Sequence, residues 1–186
     1  MIEDLALNDL VGYALGEGAS SAKQICSDDV IVNQWVRHKC LYGCGGYGRY
    51  FTCPPFSPSV KKTKQMIAEY DSALLFEFDF DPKSDKHLNI AELMFELERK
   101  AFLSGLYKAF AFSAGPCRLC DSCSASGLEN ANRFSKRLCK HPSKARPSME
   151  SAGINVFETA RKAGYEIDVV KNQGDCYKRF GLLMLD

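Results

Sequence analysis

At 186 residues, with 24 basic and 23 acidic side chains, the chain is long enough for one substantial core and carries no global field. That balance excludes the strong electrostatic draw that a basic chain exerts toward nucleic acid or anionic lipid. No run approaches the roughly 20 apolar residues of a membrane-spanning helix, and nine cysteines, an odd count, cannot all pair as disulfides.

The opening Met1-Ile2-Glu3-Asp4 has neither a basic region nor an apolar run, so a cytoplasmic, reducing location is expected and a secreted disulfide scaffold is not. From about Asp4 to Leu15, apolar residues recur at Leu7, Leu10, Val11 and Ala14, the period of a helix closed by Gly16. Val30-Ile31-Val32 through Trp35-Val36 reads as an extended segment leading into Cys40. After the first cysteine group, Ser57-Pro58 reads as N-cap and first residue of a helix, with Val60, Thr63, Ile67 and Tyr70 on one face. Ser72 to Phe80 is an apolar, aromatic strand ended by Asp81-Pro82. Asn89 and Glu92 form a capping pair for a long helix to about Ser104, whose apolar face is Ile90, Leu93, Met94, Leu97 and Ala101 and whose stop is Gly105.

A second strand, Lys108 to Ser113, runs directly into Gly115-Pro116-Cys117. A helix from Asn155 to Ala163 precedes Gly164, and strands over about Glu166 to Val170 and Arg179 to Leu185 flank the turn Asn172-Gln173-Gly174-Asp175. No repeat or linker interrupts the chain. The expectation is a single metal-binding domain over residues 1–186, α/β in class. It should have a mixed sheet of about four or five strands, flanking helices and two cysteine-rich metal-binding loops at one edge. Ligands in α/β sheets bind beyond the carboxyl ends of strands, which is where the Cys117 group falls; the Cys40 group follows a predicted strand in the same way.

The metal expectation comes from spacing. Cys117, Cys120 and Cys123 stand at two-residue intervals, and Cys139 follows in Cys139-Lys140-His141-Pro142. A core has no use for thiols at every third position, whereas a metal centre does. Structural zinc usually arrives as paired C-x2-C knuckles, while C-x2-C-x2-C with a remote fourth cysteine is the habit of a [4Fe–4S] cluster. One or two such clusters are the expected cofactors, with zinc the alternative. Cys40, Cys44 and Cys53 form the second group inside Tyr42-Gly43-Cys44-Gly45-Gly46-Tyr47-Gly48, where glycines let backbone N–H groups approach cluster sulfurs. Its fourth ligand is open between Cys26, Cys176, His38, His141 and none. With none, one iron faces substrate and the protein is an enzyme. Trp35, Tyr42, Tyr47, Tyr50 and Phe51 are candidate walls for that pocket, or core residues. Cys26 and Cys176, each alone, read as buried structural cysteines.

Basic residues gather at Arg133, Lys136, Arg137, Lys140, His141, Lys144 and Arg146. They read as a solvated face beside thiolates, or as a site for a small anionic ligand or a redox partner protein. Arg146 and Glu150 have a functional reading, anion binding and proton transfer beside a centre. They also have a plain one, a proline-stopped loop in which Ser148 caps a short turn and Met149 fills the core. Gly43-x-Gly45-x-x-Gly48 matches a dinucleotide fingerprint in form only, because its neighbours are candidate metal ligands.

Three motifs carry a resemblance. They are Lys39-Cys40-x2-Gly43-Cys44-x2-Tyr47-Gly48-x4-Cys53-Pro54-Pro55-x-Ser57-Pro58, then Gly115-Pro116-Cys117-x2-Cys120-x2-Cys123 with Cys139-x-His141-Pro142, then Arg146-Pro147-Ser148-Met149-Glu150-x-Ala152-Gly153-Ile154-Asn155-Val156. Across about Trp35 to Gly164 the chain resembles an uncharacterised family of predicted metal-binding, cysteine-rich proteins. The resemblance implies metal binding at the same seven cysteines and implies nothing about a substrate. Three function classes follow: an iron–sulfur electron carrier, a zinc-stabilised binding module, and an enzyme using an open-site cluster.

Overall fold

The computed structural model describes residues 2–84, 88–127 and 136–186. In chain order its regular elements are α1 (Ile2–Gly16), β1 (Ser21–Cys26), α2 (Gln34–Gly43), α3 (Val60–Ile67), β2 (Ser72–Phe80), α4 (Ile90–Leu103), β3 (Phe110–Phe112), α5 (Val156–Lys162) and β4 (Tyr177–Met184). The strands form one sheet in the order β1-β2-β4-β3.

The alternation of side chains along β2 builds two cores. Leu74, Phe76 and Phe78 pack with Leu10 and Ala14 of α1 and with Leu93, Met94 and Leu97 of α4. Ala73 and Leu75 point the other way, toward Ile67 of α3, Ala160 of α5, Met149 and Ile154. Because both faces are covered, β2 reads as an almost unbroken apolar run. The close fit of α4 on the sheet needs Gly181, where a Cβ would lie 2.6 Å from Met94 Sδ.

The α/β class is as expected, but every pair of named strands is antiparallel where a mixed sheet was expected. The reason is topological. β2 and β3 run the same way across the α4 connection, and β4 inserts between them. The parallel pairing among the described residues is an isolated bridge from Ser113 to Ser148, just beyond β3.

Local chemistry explains which segments match their expectation. Asn89 Oδ1 accepts from Glu92 N at 3.3 Å and Asn155 Oδ1 from Glu158 N at 3.2 Å, so α4 and α5 begin where their capping residues stand. The segment ahead of Cys40 differs. Only its first residues are extended: Asn155 N donates to Ile31 O at 2.7 Å and Asn33 N to Gly153 O at 2.9 Å. The chain then turns helical, and Cys40 lies in the last turn of α2 rather than after a strand. Trp35 faces outward under Lys39, whose Nζ is 5.2 Å from its ring, so the apolar run is split between two elements.

Other boundaries shift for similar reasons. Helix α3 is capped by Ser59, which accepts from Lys62 N at 3.4 Å, because the Ser57 hydroxyl is engaged elsewhere. Residues 166–170 form no strand; Tyr165 and Ile167 are instead buried in the core on one face of the sheet. β1, which had no expectation, is a polar edge strand whose buried member is Ile25.

Gly153 tests the packing where α2 and α3 meet the turn before α5. Its φ is +88°, and a Cβ there would stand 2.7 Å from Val60 Cγ2 and 3.4 Å from Arg37 Cγ. Left-handed strain and overpacking together should make Gly153→Ala destabilising by roughly 2–4 kcal/mol. A urea midpoint equal to that of the parent protein would show that this junction yields freely.

Candidate metal centre

Residues 44–57 contain neither helix nor strand, and their backbone is closed by short turns. Tyr47 N donates to Cys44 O at 3.2 Å, Cys53 N to Tyr50 O at 3.0 Å, and Gly48 N to Pro54 O at 2.8 Å. Gly48 has φ +70°, a left-handed turn suited to glycine. These turns bring Cys44 and Cys53 back beside Cys40. Gly46 lies between two of the thiols: its N–H donates to Cys44 Sγ at 3.4 Å, and a Cβ there would be 3.5 Å from Cys44 Sγ and 3.8 Å from Cys53 Sγ. Cys40, Cys44 and Cys53 line one cavity of about 320 Å³ with Tyr47, Tyr50, Gly115, Ser148 and Glu150.

The second group hangs from β3. After Phe112 the chain bonds to the turn before α5, with Ser113 N donating to Pro147 O at 2.8 Å and Met149 N to Ser113 O at 3.0 Å. Gly115, at φ +65°, then swings the chain toward Cys117. Cys117, Cys120, Cys123 and Cys139 enclose a space of about 20 Å³ together with His141 and with Phe51 and Thr52 of the first loop. Thus Thr52 faces one group and its neighbour Cys53 the other.

All nine cysteines are free thiols. Burial, then Cys44 and Cys40, then Cys117, push the Cys53 thiol up to about 12. Burial also pushes Cys40 up, with Cys44 adding to the shift and Arg37 opposing it. Cys117 is raised chiefly by burial as well. A metal at such sites must displace protons, and soft thiol donors are the set that iron–sulfur clusters and zinc accept. Among the described residues, no three Cys, His, Asp or Glu side chains stand close enough together to hold one metal ion. The Cys40 sulfurs were expected to converge within the radius of one metal, and they share a cavity without doing so.

Cys26 and Cys176 were read as buried, yet both are exposed, at the end of β1 and just ahead of β4. Neither lines the cysteine cavities. His38 is exposed on α2, edge-on to Tyr42 at 6.4 Å, while His141 lines the cavity of the Cys117 group. Of the aromatics, Tyr47 and Tyr50 line the Cys40 cavity, Phe51 lines the other, and Tyr42 is 84% exposed.

The basic segment is partly committed to α4. Arg146 grips Glu98 with Nε to Oε2 at 2.7 Å and Nη2 to Oε1 at 2.5 Å, and Lys144 reaches Glu92 at 2.5 Å. Arg133 and the Lys136 side chain lie outside the described residues. The plain reading of the neighbouring turn holds: Ser151 N donates to Ser148 Oγ at 3.2 Å and Met149 is fully buried. A larger cavity of about 880 Å³, walled by α2, α5, β4 and residues 167–170, meets the Cys40 cavity at Cys40, Cys44, Gly115 and Glu150.

A family model described as predicted metal-binding protein (DUF2284) matches residues 23–185, and the chain belongs to that family. The match starts within β1 and ends just past β4, so both cysteine groups lie inside it. No curated protein and no solved structure matches the chain. Among the described residues no helix is long and apolar enough to cross a membrane.

Arg37 is the site residue that motif reading missed. It precedes Cys40 by three positions on one helix, a spacing that puts both on one face. Its Nη1 donates to Ser57 Oγ at 2.5 Å and also to Ser151 O, while Ser57 Oγ donates to the same carbonyl at 2.7 Å. Arg37→Met should therefore lower unfolding stability by on the order of 2 kcal/mol or more, by removing two hydrogen bonds from a charged donor to part-buried groups. Arg37→Lys should recover little, since an ammonium lacks the planar fork. Urea denaturation of both variants checks this; full stability in the lysine variant would reduce Arg37 to a point charge.

Proposed function

We propose that this is an iron–sulfur redox protein with two centres. In this reading Cys117, Cys120, Cys123 and Cys139 ligate a [4Fe–4S] cluster, and Cys40, Cys44 and Cys53 hold a second centre with an incomplete thiolate set. The observation that carries it is that the four cysteines of the C-x2-C-x2-C…C pattern line one enclosed space. The adjoining Phe51-Thr52-Cys53 strip supports electron exchange, because it touches both groups. The clusters would supply one-electron chemistry. The chain would tune it by burial, by the Arg37 charge beside Cys40, and by the Gly46 N–H on Cys44, since hydrogen bonds and positive charge favour the reduced state.

The 880 Å³ cavity favours a second reading, an enzyme whose Cys40 centre faces a bound ligand. Lys39, Arg161 and Arg179 on its walls, beside Phe157 and Phe180, suit a small anion with an apolar body. A zinc-stabilised binding module is the alternative to both.

Elemental and acid-labile sulfide analysis of anaerobically purified protein separates these classes. The iron–sulfur readings require brown protein with iron and sulfide in similar amounts; colourless protein rich in zinc would replace them. Cys139→Ser should lower iron per chain and weaken the fold, because cluster binding orders its loops. A full iron complement in that variant would remove Cys139 from the site.

A further inference from the structure

The Cys40 cavity holds a donor that the cysteine pattern does not announce. Glu150 opens the short turn Glu150–Ala152 and lines the cavity with all three thiols of the group. Its Oε2 is buried and has no hydrogen-bond partner. Its backbone O lies 3.9 Å from Cys40 Sγ, so the residue sits directly against the first ligand position. A buried carboxylate oxygen without a donor is costly, and a cation is the usual remedy.

The cations of the region do not pair with it: Arg49 lines the same cavity but forms no ion pair with Glu150 among the described residues. The Arg37 guanidinium is turned to Ser57 and the Ser151 carbonyl, and Arg146 is paired with Glu98. Among the described residues Glu150 takes part in no ion pair. The sulfur and histidine candidates for a fourth ligand stand elsewhere: Cys26, Cys176 and His38 line neither cysteine cavity, and His141 lines the other one.

We propose that the Glu150 carboxylate is the fourth protein ligand of the Cys40, Cys44 and Cys53 centre, giving three sulfurs and one oxygen. The inference rests on that centre existing, as proposed above. It explains why one oxygen of a half-buried carboxylate is left without a donor at this point. An oxygen ligand holds iron or zinc less tenaciously than a thiolate does. Glu150 also borders the 880 Å³ cavity, so a molecule bound there could take its coordination position.

The test compares anaerobically purified wild type, Glu150→Gln, Glu150→Cys and Cys53→Ser. Each is assayed for metal per chain, for metal release to a chelator, and by X-ray absorption at the edge of the metal found. Wild type should show an oxygen scatterer that Glu150→Cys replaces with sulfur at unchanged metal content. Glu150→Gln, which keeps shape and loses charge, should release that metal faster by roughly tenfold or more. Circular dichroism confirms that each variant is folded. Scattering unchanged in Glu150→Cys together with parental release from Glu150→Gln would overturn the proposal while leaving the centre intact. Full metal in Cys53→Ser would instead overturn the centre itself, and the proposal with it.

Discussion

One guanidinium holds the Cys40 region in register. Arg37 joins α2, the loop that ends at Ser57, and the turn at Ser151, reinforcing the Val32–Ile154 bridge that links the start of α2 to the end of that turn. Thr63 Oγ1 adds a bond from α3 to Ala152 O at 2.8 Å, and Asn155 Nδ2 donates to Asn33 Oδ1 at 3.0 Å. With the carbonyls of residues 151 and 152 drawn toward α2 and α3, Glu150 is left lining the cavity. Each contact is of a kind worth about 1 kcal/mol alone, more where a charged donor is buried. The convergence of the Arg37, Ser57 and Thr63 bonds on one turn of three residues gives the site its shape.

The sheet contributes differently. Its two cores are filled by large side chains such as Phe76, Phe112 and Phe180, and it offers a rigid edge at β3. From that edge the Ser113–Ser148 bridge clamps the strand that leads to Cys117 against the turn that carries Glu150. Gly115 consequently lines the cavity of the Cys40 group although it belongs to the chain leading to the other group. The two cysteine groups are thus mechanically connected through the end of one strand. A displacement of either loop would be felt at β3, because packed interiors transmit strain.

Much of this was legible in the amino-acid order where a local rule decides the outcome. β2, α4 and α5 were read to within a residue or two, since apolar period, capping asparagines and stopping glycines act over a few positions. The cysteine groups were legible for the same reason. What was not legible depends on distant partners. α2 was misread as a strand because its apolar run gives up only Val36 to the interior. Ser57 was misread as a cap because the groups that engage it lie 20 and 94 positions away. β1 escaped notice because its pairing with β2, not its own composition, makes it a strand. Glu150 was noticed, but its unpaired, buried oxygen follows only from the three-dimensional arrangement.

The contrast between the two groups gives them different work on the proposed reading. Cys117, Cys120, Cys123 and Cys139 border a space of only about 20 Å³ with a full set of four thiols, leaving no room beside them for a separate ligand. Cys40, Cys44 and Cys53 border 320 Å³, open at Cys40 and Cys44 onto 880 Å³ more, with a carboxylate where a fourth thiol would complete the set. A closed, all-sulfur site suits storage and transfer of electrons, because nothing must leave or enter its coordination sphere. An open site with one weaker ligand suits contact with a molecule that comes and goes. Cys53 stands where the two sites meet: burial, Cys44, Cys40 and Cys117 all raise it, and its neighbour Thr52 lines the other group's space.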